Sequence, residues 1–137
     1  MSLFILDTSA LCAHFMEENG WQMVQDLFDD PEEGVTIAAV TLFEFHFVLK
    51  AKGVAVADIT ETTRIYGDVL SNPIPADAEA VREAIRLRES VPGRLTLADA
   101  LIAGCAVSRE ATLVHRDKHL SEIPDRLLKQ IRLPHKV

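Results

Sequence analysis

Residues Leu3–Leu11 read LFILDTSAL. Four apolar residues run directly into a carboxylate, two hydroxyls follow, and an apolar pattern of helical spacing then resumes through Leu11 and Phe15. A short apolar run closed by turn-prone Asp-Thr-Ser predicts a buried strand. Such a strand needs no charge at its tip. Asp7 therefore either caps the helix that follows or holds something.

Working outward, VTIAAV (35–40) is a second strand candidate, and TLFEFHFVLKAKG (41–53) predicts a helix closed by Gly53. Trp21, Val24, Leu27 and Phe28 repeat at helical spacing before the acidic turn DDPEEG. Residues 57–70 predict another helix, with Ile59, Tyr66, Val69 and Leu70 as its apolar contacts. Its successor, NPIPAD (72–77), is expected to be extended, because its prolines exclude a helix. Residues 77–89 form a charged amphipathic pattern with Val81, Ala84 and Ile85 as the expected inward stripe. ADALIAGCAVS (98–108) is apolar on all sides and is expected to be buried. ATLVH (111–115) is the clearest late strand, and KQIRLP (129–134) a last edge strand. Strands alternating with helices predict an α/β fold with a mainly parallel central sheet flanked by helices on both faces, and with no linker the chain, 1–137, is expected to be one domain.

The bulk properties narrow the class. The 137 residues are 48% hydrophobic and 26% charged, enough to bury a core without staples. Cys12 and Cys105 sit in apolar patterns with neither metal-site nor CxxC spacing, which favours a reducing compartment and inert thiols. There is no signal-peptide pattern, and the longest weakly polar run is too short to span a membrane, so a cytoplasmic location is expected. The net charge of −7 counts against nucleic acid as a partner. That average hides an asymmetry, since residues 1–80 carry 14 acids and 3 bases while residues 81–137 carry 7 acids and 11 bases. An acidic site beside a basic rim would produce it, although halves of a sequence are not faces of a fold.

Four acids fall at element junctions. Asp7 ends the first strand, Glu44 lies early in the helix after the second, Asp99 opens the buried helix, and Asp117 follows the ATLVH strand. Each has a plain capping role open to it. Thr41-x-x-Glu44 and Thr96-x-x-Asp99 resemble capping boxes, and Asp7 and Asp117 suit N-cap positions. In a parallel sheet, however, the carboxyl ends of the strands share one edge, where sites gather. Four carboxylates meeting there would raise one another's pKa, and a hard divalent cation is their natural counter-charge. Zinc fits poorly without paired Cys or His.

ILDTSAL, TLFEFHFVLKAKG, LTLADALIAGCA and ATLVHRDKHL resemble, in order over nearly the whole chain, the blocks of the PIN-domain ribonucleases, especially the VapC-type toxins of toxin–antitoxin pairs. The resemblance implies a Mg²⁺- or Mn²⁺-dependent endoribonuclease whose acidic quartet corresponds to Asp7, Glu44, Asp99 and Asp117. Asp7 and Asp99 would be the principal metal ligands. Glu44 would bind directly or through water, and Asp117 would complete a second metal position or orient the attacking water. The hydroxyls of Thr8 or Ser9 would hold a ligand water or bond to the quartet. A bound metal polarises the phosphate and lowers the pKa of a bound water, so no protein nucleophile is required. The resemblance also implies an RNA substrate, a cognate antitoxin that covers the site, and a homodimer.

The chain departs from that family at His115 and His119, where members often carry a hydroxyl or another oxygen ligand. A polar rim role is the default expectation for both histidines. Phe43, Phe45 and Phe47, half of the six phenylalanines, are either core or a groove for an apolar partner segment. Arg94, Arg116 and Lys118 are candidate RNA contacts, whereas Arg82 and Arg86 read as a solvated face. Four other functions compete with the toxin reading, the first being a non-toxin PIN-domain nuclease in RNA processing. A phosphatase with Asp7 as nucleophile would want an acid where Ser9 stands. A non-catalytic binding module of the same fold would have lost one or more of the acids. A domain whose acids are all caps would need no site at all.

Overall fold

The structure is a computed structural model that describes residues 2–91, 93 and 95–135. Four strands, β1 (Ser2–Leu6), β2 (Glu33–Ile37), β3 (Thr112–His115) and β4 (Gln130–Arg132), form one sheet in the order β2-β1-β3-β4. Every pairing is parallel, with Leu6 opposite both Ile37 and Val114, and Val114 opposite Ile131. Between them run α1 (Thr8–Phe15), α2 (Trp21–Asp29), α3 (Ala39–Ala51), α4 (Val56–Val69), α5 (Ala78–Ser90), α6 (Leu97–Ser108) and the single turn α7 (Lys118–Ser121). None of these helices is long and apolar enough to cross a membrane.

The greasy run of β1 follows from having a core on both faces. Side chains alternate along a strand, and Ile5 and Leu113 join one cluster, with α5 and α6, while Leu6 and Val114 join the other, with α1, α3 and α4. The outer edge of β2 is also covered. Ser71 donates its N–H to the Val35 carbonyl and Ile74 to the Ile37 carbonyl, and the Thr36 hydroxyl donates to the Ser71 carbonyl at 2.8 Å. The extended piece around Pro73 and Pro75 thus shields an edge that would otherwise offer itself to another chain.

Four local expectations are corrected. The second strand stops at Ile37, and α3 begins at Ala39 with Ala38 as an N-cap that makes no side-chain bond. Thr41 therefore lies inside the first turn, its buried hydroxyl without a partner among the described residues, and no capping box with Glu44 forms. On α5 the inward stripe is Ala80, Ala84 and Leu87, while Val81 and Ile85 face out. The cause lies on α6. A Cβ at Gly104 would stand 2.3 Å from the Ala80 carbonyl oxygen and 2.9 Å from the Ala84 Cβ, so the helices meet backbone to backbone and only small residues fit between them. On α4, Val69 is likewise exposed rather than inward.

Candidate functional site

The chain leaves β1 towards β2 on one side, and β3 is added on the other. The crevice at the carboxyl ends of β1 and β3 is therefore a switch point, the usual place for a site in an open α/β sheet. Asp7 stands at the tip of β1 and Asp117 two residues beyond β3. Glu44, on the second turn of α3, and Asp99, on the first turn of α6, complete the set, and all four acids line one cleft of about 290 Å³.

Asp7 and Asp117 are N-caps, and the caps use only part of each group. Asp7 Oδ1 accepts from the Ala10 N–H at 2.8 Å and from the Ser9 hydroxyl at 2.7 Å. Asp117 Oδ1 accepts from the N–H groups of His119 and Leu120 at 2.7 and 3.0 Å. Glu44 Oε1 accepts from the Thr8 hydroxyl at 2.6 Å. In each case one oxygen is committed, and the second makes no hydrogen bond among the described residues. Asp99 is not a cap itself, because Thr96 caps α6 by accepting from the Asp99 N–H at 3.1 Å. A carboxylate has acceptor capacity for both tasks, so caps and cleft coexist.

The electrostatics are uneven. Burial pushes Asp7 up to about 7; its bonds from Ser9 and Ala10 oppose the rise, and the charges of Asp99 and Asp117 add to it. Asp99 is pushed up to about 6, first by burial and then by Asp117, with Glu44 adding and Thr96 and His119 opposing. Two acids whose ionised forms are disfavoured by burial and by neighbouring carboxylates are surroundings in which a cation is stabilised. Among the described residues no three His, Cys, Asp or Glu side chains already stand together as a closed metal cage.

The remaining candidates divide. Ser9 bridges the two strand tips, donating to Asp7 and accepting from the Arg116 N–H at 3.1 Å. His115 is fully buried rather than on the rim. Its Nδ1 accepts from the Asp117 N–H, and its Nε2 meets Gln130 Oε1 at 2.7 Å. Burial lowers its pKa. Both ring nitrogens are thus engaged, and His115 orders the Asp117 loop. His119 is half-buried in α7. Lys118 is exposed beside the cleft-lining Asp117, while Arg116 is turned inward onto Glu18. Arg94 lies outside the described residues.

Of the three phenylalanines, Phe45 is a core residue at 2% exposure and not a partner contact. Phe43 and Phe47 are exposed, with ring centroids 4.9 Å apart. Sequence reasoning missed Glu18, Cys12 and Lys52, which also line the cleft. Glu18 is half of an unremarkable Glu17–Glu18 pair, so nothing local marked it. The Cys12 thiol is pushed up to about 11 by burial and by the charges of Asp7 and Glu18, which makes it unreactive.

A parallel α/β sheet with an acidic cleft at its switch point is the class that these observations define. Residues 4–126 match the PIN domain, and the chain belongs to the PIN-domain family. Its fold is similar to that of a chain from VapBC2 of Rickettsia felis bound to a promoter DNA fragment, at 20% identity, a TM-score of 0.77, and coverage of 96% of this chain and 99% of that one. DNA-bound VapBC from Salmonella typhimurium is similar at 19% identity and 0.75, covering 96% and 98%. A toxin–antitoxin complex from Klebsiella pneumoniae is similar at 22% and 0.70, covering 100% of both chains. At such identities the likeness is one of fold. No curated protein matches the chain.

Proposed function

We propose that this protein is a Mg²⁺- or Mn²⁺-dependent endoribonuclease and the toxin of a toxin–antitoxin pair, acting as a single domain in the cytoplasm. The observation that carries the reading is the convergence of Asp7, Glu44, Asp99 and Asp117, from four separate elements, on one cleft at the sheet's switch point. Family membership supports nuclease chemistry, and the VapBC complexes among the similar folds support an antitoxin partner. A homodimer belongs to the same proposal.

Asp7 and Asp99 would hold the metal, with Glu44 and Asp117 reaching it directly or through water. When bound, the metal supplies Lewis-acid polarisation of the phosphate and a water of lowered pKa. The chain's own residues position these groups. Thr8 fixes the Glu44 carboxylate, Ser9 ties the β1 tip to the loop after β3, and His115 holds the Asp117 backbone. Lys52, also on the cleft wall, is a cation available to an RNA phosphate.

The test is incubation of the purified chain with RNA, with and without Mg²⁺ or Mn²⁺, beside Asp7→Asn and Asp99→Asn. Cleavage that EDTA abolishes, and that either substitution reduces at least a hundredfold (of the order expected for removing one electrostatic stabiliser), is the expected outcome. Metal-independent cleavage, or full activity in both variants, contradicts the proposal.

A further inference from the structure

We propose that Glu18 is a keeper for the Arg116 guanidinium, holding it off the four carboxylates so that the cleft stays open to a divalent cation. The inference rests on the metal-site reading above and concerns what maintains that site.

Arg116 is the residue most able to spoil the cleft. It lines the same cavity as Asp7, Glu44, Asp99 and Asp117, and it is the immediate neighbour of Asp117. Its backbone N–H is bonded to Ser9 Oγ, which in turn is bonded to Asp7 Oδ1. A long, permanently charged side chain is thus rooted between two of the acids. Guanidinium is well suited to seize a carboxylate with two parallel hydrogen bonds. Among the described residues, nevertheless, it forms an ion pair with none of the four. Its Nη2 is bound to Glu18 Oε1 instead, and both side chains are largely buried, at 12% and 13% exposure.

The arrangement is held in tension. Arg116 Nη1 is buried and makes no hydrogen bond among the described residues, and an unsatisfied buried donor is costly. A guanidinium moved onto Asp7 or Asp117 would give that donor a partner, and it would also occupy the carboxylates that a metal needs. Glu18, delivered by the left-handed turn at Glu17 (φ 50°) that ends α1, is the partner that prevents this. Glu18 thereby serves as a positioning residue. It need not touch the metal, the water or the substrate.

The alternative is that the pair is only a brace between the end of α1 and the loop after β3. The two accounts make opposite statements about Arg116. With a brace, losing either partner loosens the site. With a keeper, losing Glu18 harms the site and losing Arg116 does not.

The experiment is calorimetric titration of the full chain with Mn²⁺, comparing the parent with Glu18→Gln, Arg116→Gln and the double substitution, with circular dichroism to confirm folding. Glu18→Gln is expected to weaken Mn²⁺ binding by about tenfold or more, since a cation within reach of the carboxylates competes with the metal. Arg116→Gln is expected to bind at least as tightly as the parent, and the double variant to return to within about threefold of it. The double variant carries neither charge, so it decides the matter even where Glu18→Gln alone unfolds. Parent-like binding by a folded Glu18→Gln, or binding by the double variant or Arg116→Gln that is as weak as Glu18→Gln, overturns the keeper. A parent chain that binds no Mn²⁺ overturns the metal reading, and the keeper with it.

Discussion

Asp7 has two duties that pull in opposite directions with pH. Its carboxylate caps α1 through Oδ1, which favours ionisation, yet burial and the neighbouring acids set its pKa at about 7. In the unfolded chain the value falls back to 3.8. Between those values the folded state binds the extra proton, so metal-free stability declines as pH rises from about 4 to 7, and the loss is complete above 7. The 3.8-to-7 difference corresponds to about 4 kcal/mol at most. Asp99, raised to about 6, contributes in the same direction. Urea unfolding in EDTA should therefore show a more stable protein at pH 5 than at pH 8. Asp7→Asn, which keeps an oxygen for the Ala10 N–H, should gain stability at pH 8 and flatten the profile. A parent profile that rises with pH would show that these acids are not buried as unfavourable anions. At Asp117 the two oxygens can be separated by substitution. Asp117→Asn should keep the cap and stay near parent stability, while Asp117→Ala should lose about 1 kcal/mol with it.

At the scale of elements, the helices were legible where the apolar stripe was large and misread where packing was tight. LFIL, ATLVH and KQIRLP fall on β1, β3 and β4, because short apolar runs between turn residues have few alternatives. The inward face of α5 was misread because the contact with α6 is made of alanines and a glycine, which carry almost no hydrophobic signal, while the larger Val81 and Ile85 point outward. Gly104→Ala should therefore be disruptive, since the new methyl group meets backbone at 2.3 Å. A loss of roughly 1–3 kcal/mol in chemical denaturation is expected, and parent-like stability would disprove the close approach. The phenylalanines of α3 divide the same way. Phe45→Ala should cost about 3–5 kcal/mol as a large-to-small core change, whereas Phe43→Ala should remain within about 0.5 kcal/mol of the parent. Their spacing of two on a helix already implied that the three could not share a face.

At the scale of the whole molecule, the order of strands does what no single stretch of sequence states. The acids are separated by as many as 110 positions, and only the parallel topology, with β1 between β2 and β3, gathers their elements at one edge. Their junction positions were visible in the sequence because a strand tip and a first helical turn are short-range features. The partnership of Glu18 with Arg116 was not, since 98 residues separate two side chains that carry no motif. Likewise His115 looked like a rim residue from its place in HRDKH, and only the pairing of β3 with β4 shows that Gln130 takes its second nitrogen. Family membership sets the fold and the class of chemistry in outline; the metal, the cleavage of RNA, the antitoxin and the dimer remain proposals.

The most direct measurement of that proposal is the melting temperature of the parent and of Asp99→Asn, each in EDTA and in excess Mn²⁺. Preferential binding to the folded state raises stability by mass action, by about 2.7 kcal/mol at a hundredfold excess over Kd. The account predicts that Mn²⁺ raises the parent's melting temperature by several degrees and leaves Asp99→Asn almost unmoved. In EDTA, Asp99→Asn should be at least as stable as the parent, because one charge has left an acidic cleft. If Mn²⁺ leaves the parent's melting temperature unchanged, or if Asp99→Asn is simply less stable in EDTA and still responds to Mn²⁺ as the parent does, the four carboxylates are not a metal site.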